Sequence, residues 1–175
     1  MQQTILALAA ILIFSLFALS RHESDAGRER IAITTEVETA AAGIARERVH
    51  TILSRSFDEA DIGREGARTR TAGLTPTSSF GGDMGETGEA TWDDVDDFHG
   101  DTRTETVQWN GRPLEFESTV SVSYFNPATS TRTTGQALAK EITVTVTAAP
   151  AGYIGTPPVA ATLRRVITPT SNVVH

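Results

Sequence analysis

The first twenty residues of the chain, MQQTILALAAILIFSLFALS, contain no charged residue and no proline. Large apolar side chains lie on all sides of a helix built from this apolar segment, and its length is close to the roughly 20 residues that a helix needs to cross a bilayer. Such a segment is unstable in water. It can serve as a membrane anchor, as a cleaved export signal or as the buried core of an assembly. The segment lacks the basic start of a signal peptide, although Ala18 and Ser20 suit a signal peptidase.

A second helical pattern follows the apolar segment and fills the second half-helix, residues 21–60. Apolar residues recur there at spacings of three and four, which indicates one apolar helix face. We predict that this face docks on the globular part of the chain through Ile33, Val37, Ile44, Val49, Ile52, Leu53 and Phe57. Gly63 and Gly66 favour a helix end between Phe57 and Gly63. One helix over residues 2–57 would be roughly 80 Å long at about 1.5 Å per residue, so its first half is expected to project.

The chain has a formal charge of −7, and the excess acids are concentrated in one region. Between Thr71 and Asp101 there is no lysine or arginine, and the acids are Asp83, Glu86, Glu89, Asp93, Asp94, Asp96, Asp97 and Asp101. A negative surface of this kind repels nucleic acid, so no nucleic-acid partner is expected. Residues 61–101, the acidic loop, are rich in Gly, Thr and Asp and are predicted to be irregular. The absence of cysteine excludes disulfides and thiolate zinc sites.

Four alternating stretches with β-branched and aromatic residues follow the acidic loop: Thr104–Trp109, Leu114–Phe125, Ala139–Ala148 and Val159–Thr168. This pattern is typical of strands. Asn110 and Gly111 favour a tight hairpin between the first two. The predicted fold class is α+β, with a long N-terminal helix whose apolar half protrudes and whose second half packs on a four-stranded antiparallel sheet. Residues 102–175 form this sheet and are here called the head.

The acidic loop also contains the candidate metal site of the chain. Calcium binds carboxylate oxygens, and the candidate ligands are Asp94, Asp96 and Asp97. The spacing does not fit an EF-hand, because Phe98 and His99 stand where an acid and a glycine are required. In the alternative, Trp92, Val95 and Phe98 hold the segment against the head while the aspartates cap turns or face water.

The sequence carries no catalytic signature. There is no nucleophile elbow, phosphate-binding glycine loop or paired-histidine metal motif, and Glu115 and Glu117 share a strand face that we expect to be exposed. We therefore expect no enzyme activity, no catalytic residues and no cofactor. Fourteen arginines accompany a single lysine, Lys140, and suggest salt bridges between subunits.

A hydrophobic half-helix that continues into an amphipathic one, followed by a variable loop and an antiparallel sheet, resembles the layout of type IV pilins and pseudopilins. The segment from Trp92 to Gly100, WDDVDDFHG, is similar to an aspartate-rich segment of mannose-sensitive haemagglutinin-type pilin proteins. The resemblance implies a structural subunit of a cell-surface filament. It also implies a stage in the inner membrane before assembly, an assembly machinery as partner, methylation of the N terminus and a role in adhesion.

The resemblance assigns roles to segments of the chain. The residues expected to bundle with those of other copies in a helical homopolymer are Ile5, Leu8, Ile11, Leu12, Phe14, Leu16, Phe17 and Leu19. The family has a glutamate at the fifth mature position, where this chain has Ile5, so assembly here is expected to depend on apolar packing. Residues 63–101 are expected to contact neighbouring heads. Two alternatives are a membrane-anchored binding module and a secretion pseudopilin that forms short assemblies.

Overall fold

The structure is a computed structural model, and it describes residues 2–64, 66–109, 111–148 and 159–169. The chain divides into two compact units, residues 1–39 and residues 40–175. Helix α1 comprises Gln2–Leu53, and the strands that follow form one antiparallel sheet in the second unit. The α+β class predicted from the sequence is confirmed.

The sheet contains five strands within the described part of the chain. They are β1 (Thr102–Trp109), β2 (Arg112–Asn126), β3 (Thr131–Thr133), β4 (Lys140–Ala148) and β5 (Val159–Ile167). Their order is β1-β2-β4-β5, with the short β3 paired to the end of β2. All four predicted stretches form strands, but the predicted count of four was wrong. The extra strand arises because Ser130, at a φ of 54°, turns the chain back so that Thr133 pairs with Tyr124.

The predicted hairpin between the first two strands has the expected register. Trp109 pairs with Arg112, which leaves two residues for the connection. Gly111 has a φ of 75°, a conformation that glycine adopts without the steric cost of a side chain. Asn110 itself lies outside the described residues.

Alternation along the strands divides the sheet into two different faces. The inner face is buried and includes Phe116, Val120, Val122, Tyr124, Ile142, Val144 and Val146. The outer face is rich in hydroxyl groups, and Thr102, Thr119, Thr145 and Thr162 form one row across four strands. Glu115 and Glu117 are exposed on this outer face, as predicted. Within the described residues, the hydrophobic core of the second unit therefore lies on one side of the sheet.

The end of α1 lies four residues before the earliest predicted position. Ser54 and Arg55 donate their backbone N–H groups to Thr51 and Ile52 carbonyls, at 3.2 and 3.1 Å, in a tighter final turn. Ser56 then forms a parallel bridge with Asp94. This pairing with the acidic loop draws the chain out of the helix. The predicted helix end between Phe57 and Gly63 was therefore wrong.

The acidic loop is irregular, as predicted, except for short 3₁₀ turns at Thr77–Ser79 and Asp96–Phe98. It is nevertheless part of the core, since Leu74, Val95 and Phe98 are buried. Leu74 packs in one cluster with Phe57 and Tyr124. The loop thus covers part of the inner sheet face, next to the last turns of α1.

Candidate functional site

The apolar segment is the largest exposed hydrophobic surface in the described residues. Each of its large side chains from residue 6 onward is between 58% and 72% exposed: Leu6, Leu8, Ile11, Leu12, Ile13, Phe14, Leu16, Phe17 and Leu19. The side chain of Ile5 lies outside the described residues. This stretch of α1 is long and apolar enough to cross a membrane, a criterion that a signal sequence also meets.

The exposure of these side chains has a definite energetic meaning. Burying one large aliphatic or aromatic side chain is worth about 1.5–3 kcal/mol, so nine of them represent a gross term in the tens of kcal/mol. Soluble monomers rarely expose continuous apolar surfaces of this size. Contact with water is therefore unfavourable for this segment.

Most of the predicted docking residues are buried, but not all of them. Val37, Ile44, Val49 and Ile52 are buried, and Ile33 is half-buried. Leu53 is 39% exposed and is the least buried of the predicted docking residues. Phe57 is buried as expected, but it lies beyond the end of α1 and reaches the core from the following loop. The early helix end explains the position of Phe57, because the chain changes direction after Leu53.

A group of ion pairs joins α1, the acidic loop and β1. Arg48 is only 5% exposed and donates to Glu89 at 2.7 Å and to Asp101. Arg103 binds the same two acids, at 2.9 Å from Nε to Asp101. Each guanidinium also lies over an aromatic ring: Arg48 is 5.8 Å from the centre of Phe98, and Arg103 is 5.5 Å from that of Trp92. The rings of Trp92 and Phe98 pack edge to face at 4.8 Å.

Trp92 and Phe98 hold the aspartate-rich segment against the rest of the second unit through these contacts, and Val95 does so through its burial and its backbone hydrogen bond to Ser56. Two of the aspartates also cap turns, as expected. Asp94 accepts hydrogen bonds from the backbone of Asp96 at 2.7 Å and of Asp97 at 3.2 Å. Asp97 accepts from the backbone of Asp93 and of Asp94, both at 3.0 Å.

The three candidate calcium ligands do not form one ligand set. Asp94 is engaged by backbone amides, and Asp96 points to Lys140. Asp97 instead lies with Glu86 and Asp93, whose carboxylate oxygens are all within 4.8 Å of one another. The geometry differs from the prediction because the turn at Asp96–Phe98 places neighbouring side chains in different directions. Clustered acids of this kind are common at protein surfaces without an ion.

Burial, with a contribution from neighbouring acids, raises the pKa of several carboxyl groups in this region. Burial is the main cause that raises the pKa of Asp94 to about 8, and the neighbouring Asp96 adds to it. Burial likewise raises the pKa of Asp96, against the opposing effect of Lys140. The pKa values of Glu59 and Glu86 are also raised, first by burial and then by nearby carboxylates. The region thus holds protons more tightly than exposed acids do.

A buried polar group in the second unit is the lysine cluster, formed by Lys140, Asp58, Asp96 and Tyr124. Lys140 and Asp58 are fully buried, and Asp96 is 3% exposed. The Lys140 ammonium donates to the Phe57 carbonyl at 2.7 Å, to Asp58 at 2.9 Å and to Asp96.

The surroundings of this ammonium are aromatic. Nζ lies 4.8 Å from the ring centre of Phe57, 5.3 Å from that of Phe80 and 5.5 Å from that of Tyr124. The Tyr124 hydroxyl donates to the carbonyl of Thr75 at 2.6 Å. The cluster therefore joins the segment after α1, the acidic loop, β2 and β4 in a buried site.

Sequence reasoning missed this cluster. It assigned Lys140 to salt bridges between subunits, whereas the structure buries it within one chain. One local signal indicated that Lys140 is buried. Alternate residues of a strand lie on the same face, so Lys140 lies on the face of Ile142, Val144 and Val146. Its partners could not be found from local patterns, because Asp58 and Asp96 are 82 and 44 residues away.

A shallow groove lies between the last turns of α1 and β5. Val49, Leu53 and Leu163 form its apolar part, and Arg46, His50, Arg164 and Arg165 give it a basic character. Arg164 also pairs with the buried Glu141 on the outer face at 2.6 Å. The second unit thus carries basic groups along β5 as well as the acids of the loop.

Comparisons with known proteins identified no relative. No family model, no curated protein and no solved structure matches this chain.

Proposed function

We propose that this protein is a non-catalytic, pilin-like subunit of a helical cell-surface filament. The observation that carries the proposal is the run of exposed apolar side chains from Leu6 to Leu19 in a helix that continues to Leu53. A plain membrane anchor does not need an amphipathic continuation with a buried face at Ile44, Val49 and Ile52. A filament core needs this continuation, because the helix that is buried in the filament must also hold the globular part of the same subunit firmly.

In the proposed filament, apolar segments from many copies pack against one another and the second units form the outer wall. Contacts between copies are head to tail, and a repeat that does not close produces an open filament. Before assembly the apolar segment occupies the inner membrane. Much of the gain from burial is then offset, because lipid is as apolar as the filament core. Extraction into the filament therefore depends on an assembly machinery.

The apolar segment of this proposed subunit contains no carboxylate side chain. Charge pairing within the bundled segments therefore does not guide assembly. Packing of Ile11, Phe14 and their neighbours has to supply the register as well as the free energy. The stability of such a filament should respond little to salt, because apolar contacts are not screened.

Electron microscopy of material sheared from the cell surface tests this proposal. We expect thin, regular filaments that contain this chain, identified by mass spectrometry of the same fraction. A chain found only as a detergent-soluble monomer would instead favour a membrane-anchored binding module. A secreted chain that lacks residues 1–20 would show that the segment is an export signal. Short stubs in place of filaments would favour the pseudopilin alternative.

A further inference from the structure

The only lysine of the chain lies at a fully buried site. Fourteen other positions carry arginine, including the buried Arg48 and Arg68, so ion pairing in this protein does not generally use lysine. An arginine side chain stays protonated in proteins, whereas a lysine can lose a proton and act as a nucleophile when it is desolvated. Lys140 is fully buried and has three aromatic rings around its amine.

The amine faces two carboxyl groups in different environments. Asp58 accepts further hydrogen bonds from the backbone of Ala60 at 3.3 Å and of Thr75 at 3.1 Å. These donors hold the Asp58 side chain in place beside the amine. Asp96 contacts the Lys140 amine from another side, and Asp94 lies next to it.

From this arrangement we propose that Lys140 and Asp96 form an intramolecular amide bond between Nζ and Cγ. Asp58 serves as the group that moves the proton during the reaction. The inference does not depend on the filament role of the protein. It makes the lysine cluster a self-modification site, which joins the acidic loop to β4 covalently.

The proposed reaction balances without any further reactant. A proton moves across the hydrogen bond from Nζ to Asp96, which leaves a neutral amine beside a neutral carboxylic acid. The nitrogen lone pair then forms a bond to Cγ, and the bond between Cγ and the hydroxyl oxygen breaks. Asp58 takes one proton from the nitrogen and gives it to the departing hydroxyl, which leaves as water. One ammonium and one carboxylate thus become one amide and one water molecule.

The geometry favours this outcome over reaction with water or another chain. The Lys140 amine and the Asp96 carboxyl group are in contact in the folded protein. The reaction therefore needs no encounter between separate molecules in solution. The cluster is sealed by Phe57, Phe80 and Tyr124, so the amide is protected from hydrolysis once water has left. The bond would close the chain between residues 96 and 140 and fix the turn at Asp96–Phe98 to the sheet.

A lysine-specific endoproteinase tests the proposal directly, because the chain offers it a single site, after Lys140. The full-length protein is purified in detergent, denatured and then digested. We expect the wild-type chain to remain uncut, since an acylated lysine is not recognised. Mass spectrometry of a second digest should find one branched peptide that contains both Lys140 and Asp96, lighter than its two parts by one water molecule.

Variants separate the cross-link from a simple buried ion pair. Asp96→Ala should be cut into two fragments, and Asp58→Ala should be cut to a much greater extent than the wild type. Glu117→Ala, on the exposed outer face, is the matched control and should remain uncut. Because digestion takes place after denaturation, a variant that folds poorly still gives a reading. Quantitative cleavage of the wild-type chain at Lys140 would overturn the proposal and leave an ordinary ion pair.

Discussion

At the scale of single residues, the conformation of the acidic loop depends on the hydrogen-bond and ion-pair partners of its carboxylates. Asp94 and Asp97 bind backbone amides, Asp96 binds a lysine, and Glu89 and Asp101 bind two arginines. The local part of this arrangement was predictable, because aspartates in turns commonly accept from the backbone two or three residues on. The distant partners were not, because Arg48 and Lys140 come from a helix and a strand whose approach depends on the whole fold.

The raised pKa of Asp94 predicts a pH-dependent stability. The ordinary value is 3.8 and the folded value is about 8, so the folded state binds this proton more tightly than the unfolded chain. The free energy of unfolding contributed by Asp94 is therefore fully present below pH 3.8 and falls as the pH rises to about 8. Asp94→Asn keeps an oxygen for the amides of Asp96 and Asp97 but cannot ionise. It should lose less stability between acidic and mildly alkaline pH than the wild type.

Denaturant titrations of the detergent-solubilised full chain at about pH 5 and about pH 9 would measure this difference. Asp25→Asn, an exposed position on α1, is the control and should follow the wild type. Parallel losses in the wild type and Asp94→Asn would show that Asp94 does not carry the effect.

Arg48 should be the most sensitive arginine on α1. Its removal leaves Glu89 and Asp101 with Arg103 alone and opens a space beside Phe98. Breaking a buried pair by removing one partner costs about 3 kcal/mol or more. Arg48→Ala should therefore lower the free energy of unfolding by about that amount, whereas the exposed Arg46→Ala should change it by about 0.5 kcal/mol or less. Tryptophan fluorescence during denaturation reads both, and equal effects would refute this role of Arg48.

At the scale of elements, the strands were more predictable than the helix end. Alternation of Val and Thr in β4 and the Asn110-Gly111 pair fixed the main strands and one hairpin, since both are local signals. The end of α1 was missed because its cause is not local. Ser56 pairs with Asp93 and Asp94, and this contact outweighs the apolar spacing that continues to Phe57.

The revised helix end predicts different roles for Leu53 and Phe57. Phe57 packs with Leu74 and Tyr124, while Leu53 faces the groove beside β5 and is partly exposed. Phe57→Ala should destabilise the full chain by about 3–5 kcal/mol, the usual cost of removing a buried phenylalanine. Leu53→Ala should cost about 1 kcal/mol or less, since little apolar area is lost. Thermal unfolding followed by circular dichroism distinguishes them, and a larger effect of Leu53 would contradict the structure.

At the scale of the whole molecule, the two units differ in whether their apolar side chains are buried within the chain. Residues 40–175 bury a core under one face of a sheet and leave a threonine-rich outer face for water. Residues 1–39 include the exposed apolar segment, and no other described residue of the same chain covers it. The length and composition of that segment were readable from the sequence. Whether the segment acts as an anchor, a signal or a filament core depends on its contacts with other molecules. Patterns within one sequence do not contain that information.

The most direct test of the filament proposal changes the apolar segment alone. Ile11→Asp and Phe14→Asp each place a charge where the proposed packing is apolar, and burying an unpaired charge is strongly unfavourable. Ser24→Asp, at an exposed polar position of the same helix, is the matched control. The measurement is the amount of filament in sheared surface material, by electron microscopy. We expect none from the two apolar-segment variants and a normal amount from the control, and normal filaments from Ile11→Asp or Phe14→Asp would contradict the proposal.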